Sequence, residues 1–215
     1  MKYTLLLLSL MALAACNSDP LRVQKTAEGI AYYNAKQYDL AIPALTEAAK
    51  AGNTDAQLHL AKCYDFGYGV PQNVATAVMW YTKAANAGNA NAQNNLAYFY
   101  SKGIGVQQNK AMAFRLYSQA AAQNEPSALN SLGLCYNNNN SGVTKNPEKA
   151  AYYFRRAADL GFAKAQYNLG RCYYHGIGVP MDMEKSREWI SKAAAQGNQE
   201  AAAFMEDEQW QQDPT

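Results

Sequence analysis

Residues 165–180 read AQYNLGRCYYHGIGVP. Leu169 follows Ala165 by four residues and Tyr173 follows Leu169 by four, so the three share one helical face. Gly170 stands directly after the Leu, and Gly176-Ile177-Gly178-Val179 closes the run. The pattern recurs along the chain. Leu60, Leu96, Leu132 and Leu169 hold one position, spaced by 36, 36 and 37 residues. Such a period marks an array of small helical units, none of which buries its apolar face alone.

Four full units follow from this spacing: residues 53–88, 89–124, 125–161 and 162–197. Their first helices carry Ala56, Ala92, Ala128 and Ala165 four residues before the Leu, and Tyr64, Tyr100, Tyr136 and Tyr173 four after it. Ala61, Ala97, Gly133 and Gly170 are the small residues that let helices approach closely. The turn is Gly67-Tyr68-Gly69-Val70, then Gly103-Ile104-Gly105-Val106 and Gly176-Ile177-Gly178-Val179. In the third unit it becomes Asn139-Asn140-Ser141-Gly142-Val143, one residue longer, where Asn is expected to take the left-handed backbone that Gly takes elsewhere. A dinucleotide fingerprint needs a preceding strand and a third Gly, so the recurring Gly-x-Gly reads as a turn.

The second helices open on the strong N-cap residues Asn73, Asn109, Asn146 and Asp182. Trp80, Leu116, Tyr153 and Trp189 are expected on their core face, and each helix closes on an Ala-Ala pair. Residues 21–52 form a shorter leading unit, with Gly29, Tyr32, Ala41 and Ala48 at tetratricopeptide spacing and Gly52 at its end. Residues 198–215 read as a capping helix and tail, with Glu206-Asp207-Glu208 as a solvated end face.

The first 15 residues are a targeting segment. Lys2 precedes the apolar run Leu5–Ala12, which is shorter than the roughly 20 residues a membrane-spanning helix needs. Leu13-Ala14-Ala15-Cys16 then resembles a bacterial lipoprotein signal, which implies cleavage before Cys16 and lipid on that residue. By the same resemblance, Asn17 favours sorting to an outer membrane, with the protein facing the periplasm. Residues 16–20 are then the lipidated Cys and a short tether, reaching at most about 17 Å.

Composition narrows the rest. The chain is 49% hydrophobic and 17% charged, which fits packed helices rather than disorder. Its net charge of +2, with no basic run, speaks against nucleic acid as a partner. Cys63, Cys135 and Cys172 occupy one repeat position, filled by Phe99 in the remaining unit. Neighbouring helix axes lie about 8–10 Å apart, beyond disulfide reach, so all three are expected to be buried thiols.

Ala-x-x-x-Leu-Gly-x-x-Tyr, Gly-x-Gly-Val and a closing Lys-Ala-Ala-x-x-Gly resemble Sel1-like repeats, relatives of the tetratricopeptide repeat, over about residues 21–210. Asn124, in place of a terminal Gly, and the Asn-rich third turn depart from the pattern. The resemblance implies an all-α, right-handed α-solenoid of antiparallel helix pairs used as a scaffold for other proteins. It also implies a concave groove lined by the first helices. Transferred to this chain, the partner-binding positions are Tyr33, Asn34, Lys62, Asn91, Asn94, Tyr98 and Lys102, then Asn130, Asn137, Lys164, Tyr167, Arg171, Tyr174 and His175. Tyr and Arg are favoured at interface hot spots.

Catalytic groups do not converge in the sequence. His59 with Cys63, and Cys172 with His175, each offer two ligands, short of a zinc site, so neither metal nor cofactor is expected. Some cysteine-rich Sel1-like proteins bind or hydrolyse β-lactams, but Ser-x-x-Lys and Lys-Thr-Gly are missing here. The expected function is a lipid-anchored, non-enzymatic module that binds another protein or peptide. Resemblance offers a narrower role, immunity to a toxin delivered into the periplasm, and two alternatives: a β-lactam-binding or hydrolysing Sel1-like enzyme, or an adaptor in envelope assembly or secretion.

Overall fold

A computed structural model describes residues 20–139 and 142–206. Cys16, the targeting segment and the tail beyond Glu206 lie outside them. The described residues form helices α1 (Pro20–Asn34), α2 (Tyr38–Lys50), α3 (Thr54–Phe66), α4 (Val74–Asn86), α5 (Ala90–Lys102), α6 (Lys110–Ala122), α7 (Pro126–Asn137), α8 (Pro147–Asp159), α9 (Ala163–His175), α10 (Met183–Ala195) and α11 (Gln199–Glu206). The fold class is the all-α solenoid of consecutive helix pairs. Two compact units are present: residues up to Leu96 with Ile104–Val106, and Ala97–Gly103 with the residues from Gln107 onward. In the first, α1, α2, α3 and α4 pack in succession; in the second, α6 to α11 do.

Local chemistry sets the helix ends. Asn73, Asn109, Asn146 and Asp182 each accept a hydrogen bond from the backbone N–H three residues on. Their own N–H groups donate to the carbonyls of Tyr64, Tyr100, Tyr136 and Tyr173 at 2.8–3.0 Å, which closes each pair back on itself. Asn53, Asn89, Glu125 and Asn198 cap first helices in the same way. An Ala in place of one such cap costs about 1 kcal/mol.

The two glycines of the turn do different work. Gly67 and Gly176 take the left-handed cap position at φ 73° and 65°. The second glycine is a seat. A Cβ on Gly69 would lie 2.6 Å from Tyr38, and one on Gly105 would lie 2.4 Å from Val74. In the second unit, Gly142 meets Lys110 at 3.0 Å, and Gly178 would meet the Pro147 carbonyl oxygen at 2.0 Å. Tyr38, Val74, Lys110 and Pro147 are the first residues of α2, α4, α6 and α8. Each turn therefore rests on the start of the preceding second helix.

Three expectations change. The third turn ends α7 at Asn138 in extended conformation, without a left-handed Asn at 137–139; Asn140 and Ser141 fall outside the described residues. Asn124 takes φ 59°, so it reproduces the left-handed turn of Gly52, Gly88, Gly161 and Gly197. The deepest second-helix positions are Leu45, Tyr81, Phe154 and Ile190, at most 1% exposed, whereas Tyr153 and Trp189 are half-buried. Facing them, a Cβ on Gly133 would lie 2.4 Å from Phe154, and one on Gly170 2.5 Å from Ile190. The small residue after the Leu thus admits the large residue of the partner helix.

Cys63 and Cys172 are buried and Cys135 is half-buried, all three as reduced thiols. Burial pushes each up to about 11. Gln57, Gln93 and Gln166 are also buried, and their Nε2 groups donate to the Ala49, Ala85 and Ala158 carbonyls at 3.1–3.3 Å. This ties α3, α5 and α9 to the end of the helix before each.

The two glycine roles separate experimentally. At Gly197 (φ 82°, open space) an Ala pays the left-handed penalty alone, about 1–2 kcal/mol. Gly178→Ala must also displace the Pro147 backbone, so about 3 kcal/mol or more is expected from denaturant unfolding. Equal losses at the two positions would contradict the seat.

Candidate functional site

In the first unit, Tyr33 at the end of α1 is the hub of a ring cluster. It meets His59 edge-on at 4.8 Å, Tyr38 at 5.7 Å and Tyr68 at 6.4 Å. Tyr38 and Tyr68 stack at 4.8 Å, and Phe66, 59% exposed, stacks on Tyr68 at 5.4 Å. Burial, then the neighbouring Cys63, Tyr38 and Tyr68, push the Tyr33 hydroxyl up to about 12. Tyr33 is thus a half-buried packing residue rather than a freely presented one. Asn34 and Asn91 are exposed, and Lys62 is half-buried. Asn94 is half-buried too, with its Oδ1 sealed from solvent and without a hydrogen-bond partner.

In the second unit, Tyr98, Lys102 and Asn137 are exposed. Asn130 corrects the sequence expectation. It is 6% exposed, and its Oδ1 accepts from Asn168 Nδ2 at 2.9 Å, joining α7 to α9. Tyr167 and Tyr174 are half-buried. Both pack against the buried group Ile190, Ala193 and Ala201, and Phe204 of α11 meets them edge-on at 6.0 and 5.3 Å. The capping helix packs against these rings, a contact that the sequence pattern does not report.

Lys164, Arg171 and His175 remain exposed on α9. Spacings of seven and four residues place them on one line along the helix. The Arg171 guanidinium lies 5.7 Å over the Tyr167 ring, and His175 meets Tyr174 edge-on at 4.8 Å. The packed tyrosines therefore orient the exposed cations. Burial, then Arg171, hold the His175 imidazole below its ordinary value. A recess of about 580 Å³ beside this line brings Lys164 near Asn198 and Glu200. Among the described residues, no group of three His, Cys, Asp or Glu side chains is placed to hold a metal ion.

Reading the second helices for their core face alone passes over a further set on α8: exposed Lys149 and Tyr152 and half-buried Arg156, with Tyr153 between them. Its signal in the sequence is the spacing i, i+3, i+4, i+7.

Capped helix pairs that present exposed Lys, Arg, His and Tyr define a helical-repeat scaffold for protein interaction. The chain belongs to the Sel1 repeat family, whose repeat matches residues 54–89, 90–125, 126–162 and 163–198. It is similar to the crystal structure of a Sel1 repeat protein from Oxalobacter formigenes, with 29% identity and a TM-score of 0.70, over 82% of this chain and 84% of that one. It is also similar to immunity protein PA5088 from Pseudomonas aeruginosa, with 26% identity and a TM-score of 0.61, over 91% of this chain and 73% of that one. Chitin synthase regulatory factor 3 of Schizosaccharomyces pombe is 36% identical over 74 residues, which is 34% of this chain. The chain spans 8% of that regulator, and less than a tenth of the first curated relatives it matches.

His59 supplies a pH test of the ring cluster. Its Nδ1–H donates to the Asp55 carbonyl at 2.8 Å, and burial holds its imidazole below the ordinary 6.5. The folded state thus favours the neutral ring. That contribution is complete above pH 6.5 and is lost as pH falls toward the lowered value. The thermal midpoint is expected to drop on acidification through this range, and His59→Phe to lessen the drop. An unchanged acid slope in that variant would contradict the assignment.

Proposed function

We propose that this chain is a membrane-tethered protein-binding module of the bacterial cell envelope, without catalysis. Lipid on Cys16 holds it at the outer membrane, facing the periplasm, and a partner protein docks on the exposed side of the first helices. One observation carries the reading: the line of Lys164, Arg171 and His175 stays exposed on α9 while the rings beside it are packed into the fold. Arg171 is held over Tyr167, and Arg and Tyr are both enriched at interface hot spots. A rigid helix presents it with little ordering to be done on binding.

The likeness to an immunity protein over 91% of this chain supports the narrower role of neutralising a toxin delivered into the periplasm. In that role a short tether suits a protein that waits at the membrane for its target. Asn34, Lys62, Asn91, Tyr98, Lys102 and Asn137 extend the proposed first-helix surface. Asn130, Tyr167 and Tyr174 serve it from within, by fixing the helices and cations that the partner meets.

Recovery of a partner with the protein from membranes tests the docking face. Lys164→Glu with Arg171→Glu is expected to reduce that recovery about tenfold while helical circular dichroism stays unchanged. Equal recovery would remove α9 from the interface. Cys16→Ser is expected to shift the protein from the membrane to the soluble fraction, and unchanged retention would contradict the lipid anchor.

A further inference from the structure

The outward face of α8 holds its cations against aromatic rings and an amide. Lys149, Tyr152, Tyr153 and Arg156 follow i, i+3, i+4 and i+7, so they line one stripe, while Ala150, Phe154 and Ala157 face the core. Lys149 Nζ lies 5.2 Å over the Tyr136 ring, which stacks flat on Tyr153 at 5.7 Å. The Arg156 guanidinium lies 5.7 Å over Tyr152, and its Nη2 donates to Asn124 Oδ1 at 2.6 Å. On the flank, Arg155 lies 5.6 Å over Tyr173 and donates to its hydroxyl.

Among the described residues, none of Lys149, Arg155 and Arg156 has a carboxylate within ion-pair distance. Lys185 and Lys192, on α10, also lie over rings, those of Tyr173 and Trp189, but each is paired with a carboxylate, Asp182 and Glu188. An aromatic ring or an amide orients a cation but cancels none of its charge. The stripe is therefore a row of fixed positive charges with donors to spare, around a tyrosine that is 55% exposed.

We infer that this stripe is a second docking surface, separate from the α9 line, and that its occupant is an acidic polypeptide segment. Charge complementarity selects the acid. The presentation selects a polypeptide over a lipid surface. A guanidinium fixed by stacking and by Asn124 offers a fork of set direction that matches a carboxylate, and a neighbouring exposed Tyr gives the ring contact typical of protein interfaces. A headgroup layer is served by long, unrestrained Lys chains and needs neither.

The test titrates the full-length protein with a fluorescent oligo-glutamate peptide, beside an uncharged peptide and phosphatidylglycerol vesicles. Saturable binding of oligo-glutamate is expected, weakening with added salt. Lys149→Gln with Arg156→Gln should weaken it about tenfold, while Lys164→Glu with Arg171→Glu leaves it within about twofold. Tyr152→Ala, at a ring 55% exposed, should weaken it with little change in the thermal midpoint. Lack of oligo-glutamate binding, full binding by the Gln variant, or binding confined to the vesicles would each overturn the inference. Because the α9 variant is the control, loss of partner capture through α9 and loss of acidic-peptide binding are read separately.

Discussion

Stacking in this protein depends on a contact with no room for a side chain. Within the first unit, Gly69 sits on Tyr38 and Gly105 on Val74; within the second, Gly142 sits on Lys110 and Gly178 on Pro147. Glycine is a poor choice for stability in the unfolded-chain sense, since it loses the most conformational freedom on folding. It is retained here because the turn's backbone lies against the first residue of an earlier helix. With that spacing set, the cap residue hydrogen-bonds back to the end of its partner helix, and the buried glutamines reach the carbonyls of the preceding helix. Large second-helix residues such as Phe154 and Ile190 then fill the space over Gly133 and Gly170.

Features that repeat were legible in the sequence. The period, the Asn and Asp caps and the Gly-x-Gly turns recur at fixed positions, so coincidence could be excluded by comparison among units. The glutamine bond was equally available, since Gln follows the same Ala in three of four units, but a polar residue in a first helix does not declare that it is buried. Depth was harder. Trp80 and Tyr81, or Tyr153 and Phe154, are adjacent large residues about 100° apart on a helix, and periodicity alone does not choose which points inward. Asn124 shows the opposite case: its departure from Gly left the left-handed turn unchanged, because Asn tolerates that conformation and its side chain gains Arg156 as a donor.

The candidate surface was legible in part. The family resemblance placed Lys164, Arg171 and His175 among the groove positions, and all three are exposed. Asn130, Tyr167 and Tyr174 have the same composition as interface residues but are spoken for, by Asn168 and by Phe204. Those contacts join residues from separate helices, with sequence separations that no single-helix pattern reports. The result is a division of labour. Inner tyrosines and amides hold the helices and orient the cations of α9 and α8.

The central claim is that α9 meets a particular partner protein. A photo-crosslinking residue placed at Arg171, in cells that carry the full-length chain, tests it most directly, with the exposed Asp39 on α2 as the comparison site. One discrete protein adduct at Arg171 and none at Asp39 is the expected result. The same adducts at both sites, or none at Arg171, would contradict the account.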